Sequence, residues 1–421
     1  MPITLKAVGA RARVSVAEAQ KMLADFQRQI EFAAPDDRAV EMIDISCRAW
    51  PLESLEVLRE LFEQHIKTVK VLKIDDIIAS LDTDDGLASL GFFNLFQDSP
   101  LQTLILDDNA VGIRGIEVLS PLIKNQNLQK LSLCNLGLSA ESAAELDQHV
   151  PTTLISLDLG RNQIGPVGGE HVGHFVRRCT ELKEFLYNGS RPLQEGTNPL
   201  CEGLLEASAS GNFTRLELYD CFLGSGEEED HPIHVFLNVL RNSPRLVKLN
   251  LNDCQLEEEG TERVIAVLNE IGVKLTNFGI SFGEGGSAVA EYCVGQTQLE
   301  ELNVECNLLE DEGVEKIVKA FRDRDTLRVL DVTDNSISED GFQFLVDNPI
   351  KSLKKLVAKD NGHEDIDEEI INNLRNLYDI VILDTDDEYP EEETQTKAAA
   401  AKPDDGAAID DLAAQLEAAN L

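Results

Sequence analysis

One spacing, Leu-x-x-Leu-x-Leu-x-x-Asn/Cys-x-Leu, recurs along most of this chain and constrains its fold more than any other feature. Clean copies are Leu101–Leu104–Leu106–Asn109–Val111, Leu154–Leu157–Leu159–Asn162–Ile164, Leu299–Leu302–Val304–Asn307–Leu309 and Leu327–Leu330–Val332–Asn335–Ile337. Two further copies, Phe213–Leu216–Leu218–Cys221–Leu223 and Leu246–Leu249–Leu251–Cys254–Leu256, carry Cys where the others carry Asn. A period of this kind specifies a stack of small units. Each unit is too short to bury an apolar face alone and is stable only against its neighbours.

The pattern is that of a leucine-rich repeat array. Copies start at Leu101, Leu128, Leu154, Leu182, Phe213, Leu246, Leu275, Leu299, Leu327 and Leu353, about 24 to 33 residues apart. Two weaker copies precede them, Val40–Ile43–Ile45–Arg48–Trp50 and Val69–Leu72–Ile74–Ile77, for roughly 11 or 12 units. Units this long hold a full helix after each strand. Glu310-Asp311-Glu312-Gly313 precedes Val314, Ile317, Val318 and Phe321 at helical spacing. Ser338-Glu339-Asp340-Gly341 likewise precedes Phe342, Phe344 and Leu345. Acids in the first turn suit the positive end of a helix dipole. The expected fold class is α/β: a leucine-rich repeat solenoid, a ribonuclease-inhibitor-like horseshoe with parallel strands on its concave face and helices on its convex face. The Asn or Cys of each unit is expected to satisfy backbone groups of the loop, which makes Asn109, Asn162, Asn307, Asn335, Cys221 and Cys254 structural.

The repeat divides the chain into a cap at 1–38, a leucine-rich repeat domain at 39–383 and an acidic tail at 384–421. In the cap, Ser15-Val16-Ala17-Glu18 has the form of a capping box. Ala19, Met22, Leu23, Phe26 and Ile30 follow on one helical face. The tail opens on a run of acids from Asp384 to Glu393, a composition that predicts disorder. Ile409, Leu412, Ala413 and Leu416 could form a short amphipathic helix at its end. No signal peptide or membrane-spanning stretch is legible.

The formal charge is −40 and the isoelectric point about 4.4, which disfavours nucleic acid and anionic membrane and favours a basic protein partner. Eight cysteines with no Cys-x-x-Cys pair read as reduced and half-buried; Cys134, Cys221, Cys254 and Cys306 lie at or beside strand ends. That reading suits a cytoplasmic protein. His171 and His174 are three apart, the wrong spacing for a zinc-protease helix. The Gly-rich segments Gly165–Gly169 and Gly283–Gly286 fall where loops enter helices. No self-contained catalytic site, metal site or cofactor is expected.

Five loop segments stand out, chiefly for Asn135, Asp253 with Cys254, and Asn188-Gly189-x-Arg191-Pro192, which the repeat does not require. They are Ile43-Asp44-Ile45-Ser46-Cys47-Arg48, Asp107-Asp108-Asn109-Ala110-Val111-Gly112, Leu131-Ser132-Leu133-Cys134-Asn135-Leu136-Gly137-Leu138, Gly160-Arg161-Asn162 with Asn188-Gly189-Ser190-Arg191-Pro192, and Leu251-Asn252-Asp253-Cys254-Gln255-Leu256. In these segments, and in its acidic tail, the chain resembles the Ran GTPase-activating proteins over roughly residues 40–421. The resemblance implies a partner, a Ran-type small GTPase in its GTP form, with a Ran-binding protein as a further partner. It implies nucleocytoplasmic transport as the setting, a cytoplasmic location near the nuclear envelope, and a monomer. Members of the family are thought to place an Asn against the catalytic Gln of Ran, which orients the attacking water. Asn135 matches that residue. The repeat independently leaves Asn135 free, because Leu136 and not Asn135 stands at the Asn/Cys position of its unit. Asp76, Asp108, Arg161, Arg191, Asp220 and Asp253 are the partner-contact candidates, each close to the carboxy-terminal end of a strand.

One departure stands out. The family carries an Arg in an early loop where this chain has Leu81, within Asp76-Ile77-Ile78-Ala79-Ser80-Leu81. Arg48 or Arg114 could substitute. Otherwise the chain is a non-catalytic leucine-rich repeat protein-binding scaffold or an inactive Ran-binding relative. A ribonuclease-inhibitor-like module would be expected to be richer in Cys and more regular in repeat length.

Overall fold

The computed structural model describes residues 2–34, 38–283, 285–361 and 366–383. The acidic tail, with its candidate helix near Leu412, lies outside the described residues. Fourteen parallel strands form one open sheet in strict chain order, and helices alternate with them. Most strands are only three residues long, and each is in register with the next: Thr103–Ile105 pairs with Lys130–Ser132, which pairs with Ser156–Asp158.

The alternation follows from the leucines. The middle residue of each strand, such as Leu104, Leu131, Leu157, Leu216 or Leu330, points inward and is fully buried. Its neighbours along the strand face out over the sheet. The helices close the other side of that core. Glu310–Phe321 buries Val314, Ile317, Val318 and Phe321, and Glu339–Asp347 buries Phe342 and Leu345. Strands stack about 4.8 Å apart, while helices need roughly 10 Å each, so the strand side of such a stack must be the inner, concave side. Where two helices come closer, glycine permits it. A Cβ on Gly173, in Gly165–Val176, would lie 2.2 Å from the Pro199 carbonyl oxygen in the next helix, Leu193–Ala207.

The amino-terminal cap contains the expected helix, Val16–Phe32. The Ser15 side chain accepts from the Glu18 amide and the Glu18 carboxylate accepts from the Ser15 amide. Ala19 and Phe26 are buried; Met22, Leu23 and Ile30 pack partly against the core. The leucine period did not anticipate the strand Ile3–Lys6, which adds to the sheet beside Val40–Asp44. At the far end, Ile380–Ile382 pairs with Lys355–Val357. These two strands extend the array beyond the units counted from sequence.

The loop after each strand is held by the Asn of the repeat. The buried Asn162 amide nitrogen donates to the Leu133, Leu159 and Gly160 carbonyls, and its oxygen accepts from the Leu136 and Leu138 amides. Asn109 and Asn335 make equivalent bonds and Asn361 continues the ladder, whereas Asn307 donates to the Ile280 and Glu305 carbonyls but its Oδ1 has no partner among the described residues. Cys221 and Cys254 take the same position and are fully buried rather than half-buried. Removing the Asn162 amide strands several buried backbone groups, so Asn162→Ala is expected to cost about 2–4 kcal/mol. Asn135→Gly, outside the ladder, is expected to shift stability by no more than about 0.5 kcal/mol. Urea unfolding midpoints of the two variants check this; equal losses would put Asn135 in the ladder.

Candidate functional site

The residue just before each ladder position has a left-handed backbone: Asp76 (φ 51°), Asp108 (60°), Asn135 (54°), Arg161 (54°), Asp220 (62°) and Asp253 (53°). Five of these donate their backbone N–H to the next repeat: Asp76 to the Asp107 carbonyl at 2.9 Å, Asp108 to Cys134 at 2.9 Å, Asn135 to Gly160 at 2.9 Å, Arg161 to Asn188 at 2.6 Å and Asp220 to Asn252 at 3.1 Å. Their side chains therefore stand in file along one rim at the carboxy-terminal ends of the strands. Asn and Asp tolerate this backbone region, whereas most residues pay roughly 1–2 kcal/mol to enter it. Arg191 (φ 47°) sits two residues further along its loop, because Gly189 takes the regular place there.

The structure thus brings the seven residues singled out from sequence to one rim, where Asp108, Asn135 and Arg161 contact one another and Arg191 contacts Asp220. Asp108 Oδ1 accepts from Asn135 Nδ2 at 2.8 Å and from Arg161 Nη2 at 3.1 Å. Arg161 Nε also donates to Cys134 Sγ at 3.3 Å. Arg191 Nε donates to Asp220 Oδ2 at 2.8 Å. Asn135 is exposed, and with its amide nitrogen fixed on Asp108 its Oδ1 has no partner among the described residues. The arrangement can position a hydrogen-bond donor of a partner. It holds no nucleophile: burial pushes the Cys134 thiol up to about 12.

Asp76 is nearly buried and pairs with Arg11, whose Nε donates to its Oδ2 at 2.8 Å. Arg11 comes from the segment between Ile3–Lys6 and the first helix, outside the repeats. No spacing rule could have found it. It supplies an exposed cation beside the loop in which Leu81 is half-buried. Of the two substitutes expected from sequence, Arg48 is 5% exposed and bonded to Glu18, whereas Arg114, on the helix Gly112–Ile123, is exposed and pairs at 2.7 Å with Asp84, three residues beyond Leu81. Away from the rim, His174 Nδ1 lies 2.6 Å and His171 Nδ1 3.9 Å from one oxygen of Asp147, a hydrogen-bonded surface cluster on the helical side.

The eight cysteines are all free. Among the described residues no group of His, Cys, Asp and Glu could hold a metal ion, and no helix is long and apolar enough to cross a membrane.

The family described as Leucine Rich repeat matches residues 150–172 and 296–318. Ribonuclease inhibitor of Mus musculus is 27% identical over 269 residues, 61% of this chain and 51% of that protein. The chain is a leucine-rich repeat protein. Its architecture is ribonuclease-inhibitor-like, although the aligned part of this leucine-rich repeat protein spans only about half the length of the mouse relative. Two solved structures are also similar. The Rad7 and Elc1 complex of yeast has 16% identity, covers 87% of each chain and has a TM-score of 0.49. LegL7 from Legionella pneumophila has 16% identity, covers 61% of this chain and 82% of that one, and has a TM-score of 0.34.

The carboxylates behind the rim are held out of water. Burial, with Asp158 beside it, raises the Asp107 pKa from 3.8 to about 6, and burial raises that of Asp158 too. The folded state then binds more protons than the unfolded one between 3.8 and about 6, so these groups lower stability as pH rises through that window. Melting temperatures should therefore fall from pH 4.5 to pH 7. Asp107→Asn, whose Oδ1 can still accept from Ser132 and Cys134, should flatten the slope. An unchanged slope would mean that Asp107 titrates normally.

Proposed function

We propose that this leucine-rich repeat protein is a GTPase-activating protein for a Ran-type small GTPase, and that Asn135 is the residue it presents to the GTPase active site. The observation that carries the reading is the exposed Asn135 amide, outside the buried ladder, oriented by Asp108 and locked by its own backbone bond to Gly160. The free Oδ1 would accept from the side-chain amide of the GTPase's catalytic Gln. That bond would turn the oxygen of the Gln toward the attacking water, which is how such a Gln promotes hydrolysis. Preorganisation of this kind lowers a barrier without covalent chemistry. Arg161, Asp108 and Arg11 with Asp76 would contact the GTPase surface around the site. Such an activator would act in the cytoplasm, near the nuclear envelope.

A protein-binding scaffold without catalytic effect is the second reading. Leu81 in place of the family Arg and the similarity to a ribonuclease inhibitor favour it.

Single-turnover hydrolysis by GTP-loaded Ran tests both. We expect acceleration of roughly three orders of magnitude or more. Asn135→Gly, which keeps the left-handed backbone, should lose about 100-fold of it. Arg11→Ala should weaken the interaction without abolishing the chemistry. Binding of GTP-loaded Ran without acceleration would identify an inactive relative, and no binding would leave the scaffold.

A further inference from the structure

The rim changes character after Asp220. Asp253 gives its backbone N–H to the Ser281 hydroxyl at 2.9 Å instead of a carbonyl of the next repeat. The next rim position is Phe282, left-handed at φ 54° and 48% exposed. A bulky aromatic in this backbone region is an outlier. Leu308, on the adjacent ascending loop, repeats the combination at φ 50° and 52% exposure, and Tyr219 is exposed two strands back. Three large apolar side chains are therefore held toward solvent on neighbouring loops, a combination that Leu193 (φ 51°, 54% exposed) shows singly earlier in the array.

Most of the charges around them are acidic. Asp253 and Glu305 form no ion pair among the described residues, unlike Asp76, Asp108 and Asp220, and Arg191, whose charge reaches Asp253 and Tyr219, is bonded to Asp220. Burial, with Asp331 and Asp253 nearby, raises Glu305 to about 6. Between them the strand Asn277–Ile280 carries Gly279, where a Cβ would lie 2.9 Å from Asn252 Oδ1 and 3.0 Å from Asn250 Oδ1. Asn252 is 6% exposed, and that oxygen has no hydrogen-bond partner. An unused buried acceptor thus lies against Gly279, between the repeats that carry Asp253 and Glu305.

We propose that Tyr219, Phe282 and Leu308, with Asp253 and Glu305, form a docking surface for an arginine- or lysine-bearing segment of a second protein, further along the rim than Asn135. A guanidinium or ammonium group over an aromatic ring is attracted to it, and its aliphatic stem covers apolar surface. Its donors reach the carboxylates that lack a cation. The chain's own tail is a poor occupant, since Asp384 to Glu393 is almost wholly acidic, and a second copy at −40 is repelled. Strand steps of about 4.8 Å put Tyr219 three steps, Phe282 five steps and Leu308 six steps from Asn135, roughly 14 to 29 Å. The inference does not rest on the GTPase reading.

The test is fluorescence anisotropy of a short labelled peptide alternating arginine with glycine, titrated with the full chain at physiological salt. Phe282→Gly retains the left-handed backbone and Glu305→Gln retains the shape; each should weaken binding about tenfold. Glu258→Gln makes the same charge change on an exposed helical position and should leave binding unchanged. Equal weakening by Glu258→Gln, or none by the other two, would mean diffuse attraction to an acidic surface and overturn the proposal. Circular dichroism confirms that each variant is folded. Ran hydrolysis run with Phe282→Gly should match the unmodified chain; a matching loss there would merge this surface with the GTPase interface and overturn its separateness.

Discussion

The hydrogen bonds of the buried ladder amides hold everything else in place. A strand three residues long cannot by itself determine where the chain goes next. Asn162 does so by binding three carbonyls and two amides drawn from its own loop and the preceding one. Closing the loop that tightly forces the residue before it into the left-handed region, and that residue's N–H then bonds to the next repeat. The consequence is functional. One residue per repeat has its backbone fixed on both sides and its side chain turned outward, so the interior ladder creates an exterior one. A solenoid gains a rim of preorganised side chains in this way at no cost to its core.

The division between core and rim explains what could be read from the sequence. Leucine spacing reports burial directly, so strands, helix faces and ladder residues from Asn109 to Asn335 were legible. So was the independence of Asn135, because a Leu occupies its ladder position. Arg11 was invisible, since it reaches Asp76 from outside the repeats across more than sixty residues of chain, and only the tertiary path of the strand Ile3–Lys6 brings them together. Arg48 misled for the complementary reason. It stands at a ladder position, where the repeat buries whatever is placed there, and a long cation complies by turning to Glu18. The same division leaves Phe282, at a rim position, and Leu308, just after the ladder residue Asn307, on the exposed side, and hydrophobicity alone gives no hint that they face water.

Charge then differentiates one part of the rim from another. In the first half each acid has a neighbour that neutralises it: Arg11 on Asp76, Arg161 on Asp108, Arg191 on Asp220. The Arg161–Asp108 pair is exposed and worth little, about 0–1 kcal/mol, so its effect is on geometry more than on stability. The pairs fix long side chains and set the direction of the Asn135 amide. A partner meeting this half encounters a finished polar surface and must match it.

In the second half Asp253 and Glu305 have no ion-pair partner among the described residues, and exposed apolar side chains stand beside them. The charge of Asp253 disfavours that of Glu305, and Phe282 and Leu308 each carry a left-handed backbone and an unfavourable exposure. Like-charge crowding and exposed apolar area are each tolerable alone. Together on adjacent repeats they describe a surface suited to an occupant. A cation with an apolar stem relieves both at once. An anion or a purely apolar ligand relieves at most one, which is why the chemistry of the occupant follows from the surface itself.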